Sequence, residues 1–143
     1  FAKARGAALV DLNLDGLLDL VEVNVDDRVR LWRNVGRGTA ERPEPLGHWL
    51  ELRHREDGPN RDAIGSWIEV RTGDSIQRRE IVVGGGHAGG QLGWVHFGLG
   101  TADEARVRVE WPDGSWGAEL TVPADGFTIL DRSGGAEPWR PGE

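Results

Sequence analysis

One nine-residue stretch constrains this chain more than any other: Asp11-Leu12-Asn13-Leu14-Asp15-Gly16-Leu17-Leu18-Asp19. Side-chain oxygens stand at its first, third, fifth and ninth places, and a glycine at its sixth. A hard cation such as calcium takes roughly six to eight oxygens at about 2.3–2.6 Å. Short side chains on alternate residues of a curled loop can aim their oxygens at one such centre. Gly16 permits the sharp turn, and Leu17, lacking a side-chain oxygen, is assigned a backbone-carbonyl ligand. Three carboxylates this close repel one another unless a positive charge sits between them. The expected metal is Ca2+, with Asp11, Asn13, Asp15, Leu17 and Asp19 as ligands. The plainer alternative is a solvated, metal-free acidic turn.

The stretch also fits the EF-hand pattern, because Glu22 occupies the twelfth place. The flanks reject that reading. An EF-hand needs a helix on each side, whereas the exit Leu20-Val21-Glu22-Val23-Asn24-Val25 alternates apolar and polar residues, as a strand does. Glu22 then lies beyond the loop, and Asp19 takes the last ligand place. The loop joins two strands.

Gly6 through Leu20, followed by Val29-Arg30-Leu31-Trp32-Arg33-Asn34, resembles one VCBS or FG-GAP repeat, a blade of the β-propellers of integrins and many bacterial surface proteins. The Phe-Gly-Gly-Ala-Pro start of some FG-GAP repeats is absent, so the VCBS-like variant fits better. The resemblance covers residues 1–36 and implies calcium at the positions given above. A lone blade cannot bury both its faces and needs neighbours, so upstream propeller blades are the expected partners and a C-terminal fragment of a longer protein is the expected context.

Composition narrows the function. The 143 residues suffice for one domain with an appendage. There is no cysteine, so disulfides contribute nothing. A net charge of -7 argues against nucleic acid as a partner. No apolar run of membrane-spanning length occurs, so no membrane insertion is expected. The 22 glycines and 7 tryptophans, with no helical periodicity, point to turns and half-buried sheets.

Strands are expected at about 6–11, 19–25 and 28–34, then a linker over 37–46 containing Pro43 and Pro45. A β-domain follows over 47–132. Its strands are expected at 49–53, 64–71, 76–83, 94–100, 107–111, 116–120 and 127–131, separated by turn clusters such as Pro112-Asp113-Gly114-Ser115. Ile64, Ile68 and Val70 should share one face. Residues 84–93, with six glycines, read as a long loop, and residues 133–143 as a flexible tail. The fold class is therefore all-β: an antiparallel sandwich or barrel-like domain, preceded by a calcium-loop hairpin.

This second region also resembles a family. His48-Trp49-Leu50, Asn60-Arg61-Asp62-Ala63-Ile64-Gly65, His96-Phe97-Gly98-Leu99-Gly100 and Val109-Glu110-Trp111-Pro112-Asp113-Gly114 are similar to the ASPIC/UnbV domain. That domain follows VCBS repeats in cartilage acidic protein and in bacterial relatives, including UnbV proteins of enediyne antibiotic clusters. The resemblance carries no established catalytic activity.

Candidate chemistry is sparse. A histidine-based site would need two or three of His48, His54, His87 and His96 to converge. His96 reads as a hydrogen-bonded structural histidine within a strand. His87, in the glycine loop with Gln91 nearby, is the most ligand-competent position. Asn60, Arg61 and Asp62 could bind a sugar or a carboxylate, but read more simply as a side-chain-closed turn. Trp67, Trp94, Trp111 and Trp116 suit sheet packing, with Trp116 the one expected to be exposed. No serine elbow, cysteine nucleophile or phosphate loop is present.

The resulting expectation is a non-catalytic calcium-binding interaction module of a secreted or surface propeller protein. Its partner would be a protein or carbohydrate. The alternative is an accessory protein or enzyme of an enediyne-type pathway that binds a small molecule near Gly84–Gly93, which leaves a cytoplasmic location open.

Overall fold

The computed structural model describes residues 3–85 and 89–142. These residues form strands and turns with no helix, and so no helix long and apolar enough to cross a membrane. The chain divides into two compact units, residues 1–46 with 83–91, and residues 47–82 with 92–143.

The first unit is a three-stranded antiparallel sheet of β1 (Lys3–Val10), β2 (Asp19–Val25) and β3 (Arg30–Trp32), in the order β1-β2-β3. Val10 pairs with Asp19, so the strands close directly on the acidic loop. The flanks are strands, as the alternation requires, and Glu22 accepts a hydrogen bond from Trp32 Nε1 at 3.1 Å. The third strand is shorter than expected because its neighbours are tied elsewhere. Arg28 N donates to Asp27 Oδ1 at 2.7 Å, and Asn34 N donates to Asp19 Oδ1 at 2.7 Å.

Residues 37–46 are not a loose linker. Arg37 N donates to Glu44 O at 3.0 Å and Glu44 N to Val35 O at 3.1 Å, so the segment folds back on residues 35–36. Gly36 makes this possible: its φ is +61°, and a Cβ there would stand 1.8 Å from the Glu44 carbonyl oxygen. A second departure concerns residues 83–91, expected within a continuous domain over 47–132. They belong with the first unit. Gly84 bridges Gly90, and Gln91 Nε2 donates to the Leu9 carbonyl at 2.7 Å.

The second unit is a sandwich of two four-stranded sheets. Its strands are β4 (His48–Arg55), β5 (Trp67–Thr72), β6 (Ser75–Glu80), β7 (Val95–Gly100), β8 (Glu104–Glu110), β9 (Leu120–Pro123), β10 (Gly126–Asp131) and β11 (Ala136–Trp139). The sheets run β11-β10-β4-β7 and β6-β5-β8-β9. Alternation builds the core between them. In β8, Ala105, Val107 and Val109 are buried, and Arg106 lies outside. They meet Leu50, Leu52, Phe97, Leu99 and Leu130 from the other sheet. Each such side chain contributes about 1.5–3 kcal/mol on burial.

Several details differ from the sequence-based expectation, and the strand expected at 116–120 lies instead at Leu120–Pro123. β4 and β10 pair in parallel, so one sheet is mixed and not purely antiparallel. Alternation fixes which face is buried and says nothing of strand direction. Residues 133–143 are not simply a tail, because Ala136–Trp139 adds an edge strand to β10. Ile64 lies outside the strand and is 40 % exposed, since Asn60 claims its backbone. The turn at Pro112–Ser115 forms as expected, with Gly114 N donating to Trp111 O at 2.8 Å.

Candidate functional site

The acidic loop is curled by two residues in the left-handed region, Leu14 (φ 61°) and Gly16 (φ 83°). Its carboxylates collect backbone amides. Asp11 Oδ1 accepts from Asp15 N at 3.1 Å and Oδ2 from Gly16 N at 2.7 Å. Asp19 Oδ2 accepts from Leu12 N at 3.3 Å. Asp15 Oδ1 accepts from Leu17 N at 3.0 Å, and Oδ2 from Asn13 Nδ2 at 2.7 Å. Asp11 and Asp19 are buried, at 7 % and 2 % exposure. Arg33 approaches Asp15 only to 3.9 Å.

The donor set suits a hard cation, being oxygen throughout. Among the described residues, however, no group of three or more histidine, aspartate or glutamate side chains stands in a metal-holding arrangement. Coordination would require Asn13 to present its amide oxygen, in place of its NH2, to the cation, and the carboxylates to share their remaining lone pairs. The residues fit a hard cation by the chemistry and order of their donors and not by their present geometry.

The other candidates disperse. His87 lies outside the described residues. Gln91 is engaged with Leu9, as above. Asn60 closes its turn through Oδ1 and Nδ2, each 3.0 Å from the Ile64 backbone. Arg61 is exposed, and Asp62 pairs with Arg53 at 3.1 Å. His48 pairs with Asp125 at 2.7 Å, His96 with Glu51 at 3.3 Å, and His54 with Ser66 Oγ at 3.1 Å. These three histidines have separate partners and build no common centre.

Burial dominates His54. It faces the core beside Trp111, with ring centroids 5.7 Å apart, and its Nε2 has no hydrogen-bond partner. Desolvation pushes its pKa down from the usual 6.5 to about 4. The imidazole is therefore neutral at pH 7 and acts as a packed, singly bonded core residue.

Trp67 and Trp116 are exposed, at 38 % and 43 %, while Trp111 is buried. Arg108 lies 4.1 Å from the Trp116 ring centre and Arg78 5.2 Å from that of Trp67. Between them Glu69, 5 % exposed, accepts hydrogen bonds from Arg108 at 2.8 Å and Arg71 at 2.7 Å. The Arg108 hydrogen bond, opposed by burial and reinforced by Arg71, holds the Glu69 carboxyl below its usual range. This is a closed ion network on a sheet face.

Sequence reasoning passed over three buried acids, Glu51, Glu56 and Glu69, at 2 %, 8 % and 5 % exposure. The available signal was a charge set amid apolar neighbours, as in Trp49-Leu50-Glu51-Leu52.

Neither a curated protein nor a solved structure matches the chain. The family model for ASPIC and UnbV matches residues 56–136, more than half the chain. That span contains three of the four motifs that carry the resemblance, from Asn60 through Gly114, and most of the sandwich. The chain belongs to the ASPIC and UnbV family.

Proposed function

We propose that this chain is a non-catalytic interaction module whose VCBS-like hairpin binds calcium through Asp11, Asn13, Asp15, Asp19 and the Leu17 carbonyl. The observation that carries the reading is the pair of buried carboxylates, Asp11 and Asp19, whose partners are backbone amides. Burying anionic oxygens is expensive unless charge compensates them. A divalent cation supplies that charge. Extracellular calcium modules work at Kd values of about 10⁻⁴–10⁻³ M, which suits a short, surface-lying loop and a secreted or surface setting. The separate partners of His48, His54 and His96, the three described histidines, support a role in binding over one in catalysis.

Calcium that binds only the folded loop stabilises it by about 2.7 kcal/mol at a hundredfold excess over Kd. Chelation should therefore speed hydrogen exchange across residues 6–34 and leave residues 47–82 unchanged. Asp15→Ala should abolish the difference. Equal protection with calcium and with chelator would reduce the loop to an acidic turn.

A further inference from the structure

Glu51 sits in β4 with its side chain on the outer face of the β11-β10-β4-β7 sheet, opposite in direction to the core residues Leu50 and Leu52. An outward-facing glutamate in mid-strand is ordinarily solvated, yet its side chain is only 3 % exposed. The register gives the reason. Glu51 pairs with Phe127 on one side and with His96 on the other. Phe127 of β10 and Trp94, one residue before β7, meet with ring centroids 5.1 Å apart, so the two rings come together from either side of β4. Trp49 adds a third ring, 5.3 Å from Phe127, and stacks on His96 at 6.4 Å. Trp139 completes the group, 5.2 Å from Trp94 and 5.4 Å from Phe127.

Under these rings the carboxylate is half satisfied. His96 Nδ1 stands 3.3 Å from Oε1. Oε2 is buried and has no hydrogen-bond partner. The nearby cations on this face are committed elsewhere, Arg53 to Asp62 and Arg55 to Asp131 and Glu137. A buried carboxylate oxygen without a donor is left with its desolvation uncompensated. Glu69, on the outer face of the other sheet, shows how the same problem is solved with arginines. Beside Glu51 the protein has placed this aromatic cluster, whose rings can attract a cation and none of whose indole N–H groups bonds Oε2.

We propose that this aromatic-roofed carboxylate is a binding site for an alkylammonium group that retains at least one N–H. The N–H would satisfy Glu51 Oε2, and the alkyl carbons would lie against Trp49, Trp94 and Trp139. Trp94 and Trp139 are only partly buried, so the approach is from solvent. The site lies wholly within the sandwich and shares no residue with the acidic loop.

The test uses the whole chain and two probes, trimethylammonium and tetramethylammonium chloride, followed by indole NMR shifts at constant ionic strength. Trimethylammonium keeps one N–H and should give saturable shifts of the Trp49, Trp94 and Trp139 indoles. Tetramethylammonium should bind at least about fivefold more weakly. Glu51→Gln, nearly the same shape, should remove that preference. If Glu51→Gln does not fold, Trp139→Ala on the edge strand should weaken trimethylammonium binding several-fold. No saturable shift, equal affinity for the two probes, or unchanged binding in the folded variant would overturn the site. A lysine-containing peptide and n-butylamine, titrated alongside, distinguish a protein side chain from a free amine as the natural source.

Discussion

In the three-stranded sheet Val23, Leu31 and Trp32 are 45, 65 and 54 % exposed, whereas in the sandwich Leu50, Leu52 and Phe97 are at 0 %. What the small sheet buries instead is mostly polar: Asp11, Asp19 and Asn24, with Leu17 as its buried large apolar side chain. The two regions share strand alternation and differ in where the stabilising free energy originates. The sandwich gains it from apolar area between two sheets. The small sheet relies on hydrogen bonds to carboxylates and, in the proposed function, on an ion. A sheet with one layer cannot cover its own apolar face, so local pairing and charge neutralisation carry more of the load.

The strongest challenge to this contrast is to empty the sandwich core. Phe97→Ala should cost about 3–5 kcal/mol, read as a lowered urea midpoint for the transition followed by tryptophan fluorescence. A cost under about 1 kcal/mol would mean that the core repacks easily and that the contrast is overstated.

Acid should weaken the sandwich through His54 before the carboxylates titrate. Its folded pKa, about 4, lies below the usual 6.5. Between those values the unfolded chain binds more protons, so stability is complete above pH 6.5 and declines as pH falls toward 4. The loss should reach about 2 kcal/mol by pH 5. His54→Gln, less stable at pH 7, should lack that slope. An identical slope in the variant would assign the acid sensitivity elsewhere.

The smallest effect belongs to the first region. Gly36→Ala should destabilise the 35–45 turn by more than about 1 kcal/mol, since both its φ and the Glu44 carbonyl oppose a Cβ. Faster exchange of the Arg37, Gly38 and Glu44 amides would register it. Unaltered exchange would show that the turn is not ordered as described.

Much of this architecture was legible in the sequence, and the omissions have physical causes. Val107-Arg108-Val109 declares its buried face by alternation alone. The acidic hairpin declares itself through Gly16 and the strands on either side. Glu51 did not, because its burial depends on Trp94, Phe127 and Trp139, which are remote in sequence. The edge strand at Ala136–Trp139 was hidden by Pro138 and by Gly134 and Gly135 before it, although Trp139 packs on Phe127. Nor could spacing reveal that residues 83–91 pair with themselves and with Leu9 while their neighbours enter the sandwich.

The parallel pairing of β4 with β10 also sets an order of events. Leu50 lies beside Gly126, and Arg55 beside Asp131. β4 is among the first parts of the sandwich to be synthesised, and its partner is nearly the last. As the nascent chain emerges, β5, β6 and β8 can assemble one sheet from near neighbours. In the opposite sheet β4 pairs with β7 and keeps its other edge unpaired until β10 arrives. A chain halted before Gly126 would present Leu50 and Leu52 to whatever else is nearby, so premature termination here favours aggregation over partial function.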